Sequence, residues 1–358
     1  MISEELRSAL AEQAVCSLGQ GIPWKALLAK KHLKVGFMGG SVTQGYAQLH
    51  ISKNAYPQMV VQGLAEQGYD AECCLCAEAG MGTMNGNLLA DEWIIARDPD
   101  LVILEFAINE TTLKPSVISF ESMLRKLLTV PDPPVVCILI LRSMHGYSCE
   151  PFMQPIAEHY GLPYLILDRA LQPAMERGDL VWADYADEES HPNADGHRLL
   201  ADMLLKLLEQ AGQAPQTGER PPLPAPWLDA PYTNLRYLHP AADLPGVETD
   251  CEIIPRRHND YYPAAWNICA AGGSLKLTVR CRVLLVFYET HRFPEYGDCR
   301  ISADGVPLKE PLIRSNSLYG WGNAKFVTAV CADTCGEHTV LLEPENQSVY
   351  ILGFGICE

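Results

Sequence analysis

The chain is short of positive charge and has no long apolar run. Among its 358 residues, 27 are Lys or Arg and 44 are Asp or Glu, which gives a net charge of −17. Such a protein repels a nucleic-acid backbone and an anionic membrane surface alike, so neither is expected as a partner. No stretch reaches the ~20 apolar residues of a membrane span. Met1 to Gln20 carries Glu4 and Glu5 and lacks the basic region and apolar core of a secretory leader, so a cytoplasmic protein is expected. Cysteine is plentiful, but a disulfide framework is missing. The thirteen cysteines are odd in number and irregularly spaced, and read as reduced thiols. Cys73-Cys74-x-Cys76 has no second pair at zinc-finger distance, so no structural metal is expected. A neutral sugar or a small ester suits the charge balance. Homo-oligomerisation is left open.

Hydrophobic residues make up 48% of the chain, enough for a sizeable core. The length exceeds one typical domain of roughly 100–200 residues, so two are expected. Through residue 213, strand-like and helix-like segments alternate. Val35 to Met38, Cys73 to Ala77, Leu101 to Phe106, Val135 to Leu141 and Tyr164 to Leu167 are apolar runs of strand length. Tyr56 to Gln67, Phe120 to Leu128 and Pro155 to Tyr160 read as helices between them. Leu199, Leu200, Met203, Leu204, Leu207 and Leu208 follow the spacing of a helix burying one face. Unbroken apolar strands alternating with helices predict an α/β domain with a parallel sheet covered on both faces. Residues 214–227 turn to Pro, Gly and polar side chains and read as a linker. From 228 to 358 the pattern changes. Leu275, Leu277, Val279, Cys281 and Val283 alternate with polar positions, Ala303-Asp304-Gly305-Val306 is a hairpin turn signal, and His338 to Leu342 and Val349 to Phe354 are further strands. The second domain therefore reads as an all-β sandwich.

The chemistry points to two places. Gly39-Gly40-Ser41-Val42-Thr43 follows the first strand, where ligands of open parallel sheets bind. The glycines allow a sharp turn there. The segment after Ser41 is expected to open a helix whose N–H groups favour an oxyanion. A P-loop would need Lys after Gly45, an α/β-hydrolase elbow would need Gly at position 43, and the glycines do not match a dinucleotide fingerprint. The second place is His191, preceded by Asp184, Asp187, Glu188 and Glu189 and followed by Pro192 and Asn193. A serine nucleophile needs a base, and the base needs an orienting acid. His197 lies on the last helix and is expected to pack or cap. Gly80-Met81-Gly82-Thr83 after the second strand, and Asn109 after the third, are candidate donors to an oxyanion hole.

These four blocks, in this order, resemble the SGNH (GDSL-type) hydrolase superfamily. Gly40-Ser41-Val42-Thr43 is similar to its first block, Gly80 to Gly82 to the second, Asn109 to the third, and Glu188-x-x-His191-Pro192 to the fifth. The resemblance implies a flavodoxin-like three-layer α/β/α fold and a Ser–His–acid triad of Ser41 and His191. It implies an oxyanion hole from the Ser41 and Gly82 N–H groups and the Asn109 amide, with no metal and no cofactor. The family acid is usually Asp three residues before His, but Glu188 stands there, with Asp187 one step back. Glu188 and Asp187 both remain candidates, as do the N–H groups of Gly82 and Thr83.

The two-domain layout resembles carbohydrate acetyl esterases in which a jelly-roll, carbohydrate-binding-like β domain follows the hydrolase. Tyr319 and Trp321 are the candidate sugar platform, with Tyr261, Tyr262 and Trp266 behind them. The expected reaction is removal of O-acetyl groups from manno- or xylo-oligosaccharides. Acyl-thioester or lysophospholipid hydrolysis on the same triad, or sugar binding without turnover, are the alternatives.

Overall fold

The unbroken apolar runs of the first half form the middle of a sheet. In this computed structural model, which describes residues 2–47, 50–51, 54–215, 220–242, 244–256, 260–269, 271 and 273–358, the chain divides into two units, Met1–Ala230 and Pro231–Glu358. The first unit begins with α1 (Glu4–Ala14), β1 (Val15–Leu18), α2 (Trp24–Leu28), β2 (His32–Gly39), α3 (Ser41–Gln44), β3 (Tyr46–Ala47), β4 (His50–Ile51) and α4 (Tyr56–Glu66). It continues through β5 (Asp70–Ala77), α5 (Thr83–Trp93), β6 (Leu101–Glu105), α6 (Lys114–Leu128), β7 (Val135–Ile140) and α7 (Glu150–His159). It ends with β8 (Pro163–Ile166), α8 (Asp168–Arg177), α9 (Trp182–Tyr185) and α10 (Ala194–Gln213).

The sheet order is β1-β8-β7-β6-β2-β5. The pairs β2–β5, β2–β6, β6–β7 and β7–β8 are parallel. Numbering the parallel strands in chain order gives the flavodoxin-like sequence 2-1-3-4-5, whose switch point lies between β2 and β6. Every residue of β6 and β7 is buried, as strands covered on both faces must be. The Leu/Met stripe of α10 joins the same core as Val35, Phe37, Ile103 and Leu139. Asn193 starts α10 by accepting from Gly196 N at 3.0 Å, so the helix begins earlier than its apolar stripe indicates.

The fold class matches the expectation for this half, with one correction: the sheet is mixed. β1 pairs antiparallel to β8 at the edge, with a register shift between Val15 and Ser17. Four half-exposed or exposed residues carry no apolar run, so the pattern did not reveal this strand. Helix α5 was equally silent. Thr83 to Ala90 are all buried, so there is no polar face to set a period, and Asn85, Gly86 and Asn87 are weak helix formers.

The segment 214–227, read as a linker, includes residues 216–219, which lie outside the described residues. Its later part is held to the first unit. The buried carboxylate of Glu121 accepts from the backbone N–H groups of Trp227, Leu228 (2.9 Å) and Asp229 (3.1 Å), and Arg125 Nη1 donates to Pro224 O at 2.8 Å.

The second unit contains β9 (Arg236–Leu238), β10 (Val247–Thr249), β11 (Glu252–Pro255), β12 (Ala264–Ile268) and β13 (Leu275–His291), then β14 (Asp298–Ala303), β15 (Val306–Arg314), β16 (Trp321–Pro344) and β17 (Val349–Cys357). Its pairings are antiparallel, in the order β11-β12-β17-β13-β16-β14-β15, with β10 on β13 and β9 on β17. Among the described residues its nine strands share one hydrogen-bonded network, and the long strands β13 and β16 shift register at Cys281/Val283 and Leu284/Leu285. Buried side chains from β12 to β17 form one cluster. The Asp304-Gly305 turn has φ of 52° and 77°, the left-handed values a two-residue hairpin requires. Among the described residues no helix is long and apolar enough to cross a membrane.

Candidate active site

Ser41 is the first residue after the β2 turn, beside the switch point of the sheet, and is 9% exposed. Three elements bring its neighbours together. Gly40 ends the turn as the N-cap of α3. The expected helix after Ser41 is a single turn, Ser41–Gln44, stopped by Gly45 with φ of 93°. This corrects the expectation of a helix dipole at the nucleophile: four residues align too few peptides to matter. The Ser41 N–H, the first of that turn, still has no intrahelical acceptor.

His191 arrives on the loop between α9 and α10. An isolated antiparallel bridge, Ala186 to Pro192, closes this loop, and Asn193 N donates to Tyr185 O at 3.0 Å. Gly196 is required here, since a Cβ at this position would come within 3.0 Å of Tyr185 O. His191 Nε2 lies 2.8 Å from Ser41 Oγ, and His191 Nδ1 lies 2.8 Å from Glu188 Oε1. A carboxylate can only accept, so Nδ1 carries the proton and Nε2 is left to accept from the serine hydroxyl. Asp187 is turned elsewhere: its Oδ1 lies 3.5 Å from Asn193 Nδ2. Of the two candidate acids, Glu188 is the one on the histidine.

The loop is held from outside as well. Trp182 Nε1 donates to Glu188 O and Met144 N to Glu189 O, both at 2.8 Å, while Arg142 lies 5.9 Å over the Trp182 ring. The Tyr46 ring packs 4.8 Å from the imidazole of His191 at an interplanar angle of 55°. Trp182 and Tyr46 carried no motif signal, because their role comes from packing across loops.

The two oxyanion candidates also converge. Asn109 follows β6, and its side-chain amide occupies the space a Cβ on Gly40 would need. Its Oδ1 is buried without a hydrogen-bond partner among the described residues. Gly82 is the N-cap of α5. The Thr83 N–H is taken by Glu110 Oε1, which also accepts from Thr83 Oγ1 at 2.7 Å, whereas the Gly82 N–H has no hydrogen-bond partner among the described residues. Glu110 therefore ties the Gly82 loop to the residue after Asn109, and it separates the two candidate amides chemically.

His197 packs, as expected for that position. It is 2% exposed, stacks on Tyr56 at 6.4 Å, and sits with Nδ1 3.4 Å from Tyr56 N. Burial pushes its pKa down to about 4. Among the described residues no group of three or more His, Cys, Asp or Glu is gathered as metal ligands.

In the second unit Tyr319 is 81% exposed and Trp321, at the start of β16, is 48% exposed. Tyr262 and Trp266 are buried, the latter against Phe354 at 5.6 Å, which corrects their candidacy as ligand platforms: they are core residues.

Residues 37–199 match the family model described as the GDSL-like lipase/acylhydrolase family. The fold of the whole chain is similar to that of a two-domain esterase (CEX) active on acetylated mannans. The TM-score is 0.85 at 20% identity, covering 97% of this chain and 99% of that one. A second structure of that esterase, co-crystallised with mannopentaose, matches with TM-score 0.84 at 20% identity over 97% and 98%. An acetyl xylan esterase, AlAXEase, matches with TM-score 0.40 at 17% identity over 49% and 98%. No curated protein matches the chain.

Proposed function

We propose, for a chain whose residues 37–199 match the model of the GDSL-like lipase/acylhydrolase family, that it is a serine esterase removing O-acetyl groups from manno- or xylo-oligosaccharides. The observation that carries the reaction is the continuous contact from Ser41 Oγ through the His191 ring to Glu188, at 2.8 Å on each side. Ser41 Oγ attacks the acetyl carbonyl carbon while His191 Nε2 takes its proton. Glu188 holds the Nδ1 proton and offsets the charge of the imidazolium. The oxyanion accepts from the N–H groups of Ser41 and Gly82 and from the Asn109 amide. The intermediate collapses, the C–O bond to the sugar breaks, and His191 returns the proton to the departing hydroxyl. Water, deprotonated by the same nitrogen, attacks the acetyl-serine; the C–O bond to Ser41 breaks, His191 returns the proton to Ser41 Oγ, and acetate leaves. None of these steps needs a metal or an organic cofactor.

The substrate class is supported by two things. The esterase that shares the two-domain fold is active on acetylated mannans. The exposed Tyr319 and Trp321 offer aromatic faces of the kind that pack on the apolar face of a sugar ring. The test is mass-spectrometric detection of acetyl loss from acetylated manno- and xylo-oligosaccharides, with Ser41→Ala as control. Loss by the wild type, reduced on the order of 10⁴-fold or more in Ser41→Ala, is expected. Cleavage of long-chain acyl esters with no acetyl loss would move the assignment to lipid or thioester substrates. Oligosaccharide binding with no turnover would make the chain a binding protein.

A further inference from the structure

Glu105 is the only charged residue of strand β6, and no step of the ester hydrolysis above uses it. It is fully buried, and it pairs in register with Gly39, the last residue before the nucleophile turn. Thr43 Oγ1 donates to its Oε2 at 2.8 Å, and the backbone N–H groups of Gly40 and Thr43 also bond to the carboxyl group. One carboxyl group therefore grips the turn on both sides of Ser41. The fit is close: a Cβ on Gly39 would come within 3.0 Å of Thr43 Oγ1 and Glu105 O.

The surroundings of this carboxyl group are neutral. Its Oε1 is buried without a hydrogen-bond partner among the described residues. Thr43 faces it from α3, Tyr56 from α4 and Tyr185 from α9. His197 of α10 stacks on Tyr56 and is kept uncharged by burial, and the thiols of Cys73 on β5 and Cys137 on β7, both raised by burial, act on Tyr56. Among the described residues no cation acts on Glu105. An ionised carboxylate with a dry, unpartnered oxygen and no counter-charge costs far more than the neutral acid in the same place.

We propose that Glu105 is a positioning residue for Ser41, holding the Gly40–Thr43 turn as a neutral carboxylic acid, and that its ionisation lowers turnover. The proposal rests on Ser41 being the nucleophile. An added negative charge beneath the turn opposes the oxyanion forming above it, and a charged carboxylate draws its donors into a new arrangement. Burial raises the pKa of Glu105 to about 8, which places the change within reach of an activity profile.

The experiment compares kcat/KM for p-nitrophenyl acetate, from about pH 6 to about pH 10, in wild type and Glu105→Gln. Wild type is expected to fall from its plateau above about pH 8, approaching tenfold per pH unit, and Glu105→Gln, which cannot ionise, is expected to lack that fall. A wild-type plateau that stays flat across the range overturns the proposal, and so does a fall that persists unchanged in Glu105→Gln. If Glu105→Gln does not fold, Thr43→Val serves instead. It removes a donor that lowers the carboxyl pKa, so the fall should move to higher pH, and an unmoved fall overturns the proposal.

Thermal unfolding gives a readout that needs no turnover. A carboxyl group whose folded pKa is raised contributes stability that is fully present below the unfolded carboxyl pKa and is lost as pH rises through the folded value. Wild type should therefore lose Tm relative to Glu105→Gln between about pH 4.5 and about pH 8. A Tm difference that does not change with pH overturns the neutral-acid claim. Full activity in Ser41→Ala would instead overturn the nucleophile assignment, and with it the positioning role, while leaving the Tm difference in place.

Discussion

The side-chain amide of Asn109 stands where a side chain on Gly40 would stand. A Cβ built on Gly40 comes within 3.0 Å of Oδ1, Nδ2 and Cγ of Asn109. The residue before Ser41 is thus small because the Asn109 amide after β6 needs its space, and the two loops on either side of the switch point close on each other. Gly40→Ala should push Asn109 away and cost about 10²–10³ in kcat, the loss expected for one oxyanion donor. Asn109→Ala should cost a similar factor. Because both changes remove the same donor, the double variant should be little worse than either single one, as steady-state kinetics on the three variants would read. Losses that simply multiply would mean that Gly40 acts by another route.

Glu188 and Asp187 are adjacent in sequence and separate in role. Glu188→Gln should lower kcat by about 10²–10⁴, because the neutral amide can present its N–H to Nδ1 and disturb the histidine tautomer. Asp187→Asn should stay within about threefold, in keeping with a side chain near Asn193 rather than His191. The comparison is made on one small ester at saturating concentration. A larger loss in Asp187→Asn would reverse the assignment of the acid.

His197 sets an acid limit on stability. Its folded pKa, about 4, lies below the unfolded histidine value. A histidine kept neutral by burial contributes stability that is present above about pH 6.5 and is lost as pH falls toward about 4, where the unfolded chain binds a proton that the fold refuses. The full effect is on the order of 3 kcal/mol. Calorimetric melting from about pH 7 to about pH 4 should show wild type losing Tm faster than His197→Gln. Parallel curves would remove His197 as the cause.

The proposed sugar substrate gives the exposed aromatics of the second unit a testable role. Trp321→Ala and Tyr319→Ala should each raise KM for an acetylated manno-oligosaccharide about three- to tenfold, the worth of one aromatic face on an apolar one. The effect on p-nitrophenyl acetate, which has no sugar ring, should be smaller. Equal changes for both substrates would assign these residues to the stability of β16 rather than to a ligand.

The local signals were legible where one residue type answers one requirement. The apolar runs at Leu101 and Val135 became fully buried parallel strands, because only a sheet covered on both faces removes every side chain of a strand from water. The Asp304-Gly305 hairpin followed from its need for left-handed backbone. Helix α5 and strand β1 were not legible. A helix whose first eight residues are all buried shows no period, and a short edge strand has no long apolar run.

The sequence by itself determined the layout: a strand ending in Gly40-Ser41, a late His191 among acids, and glycine- and asparagine-bearing loops at strand ends, all in the order that brings them to one edge of a doubly wound sheet. Only the tertiary structure decided between neighbours. Glu188 rather than Asp187 meets His191, and the Thr83 amide is taken by Glu110 while that of Gly82 is not. Glu105, one acid in an apolar strand, bonds to Gly40 and Thr43 on either side of Ser41. These choices depend on side-chain direction and on contacts between separate elements, such as Thr83 with Glu110, and Thr43 on α3 with Glu105 on β6. Such contacts are set by packing of the whole sheet, and a linear pattern carries no record of them.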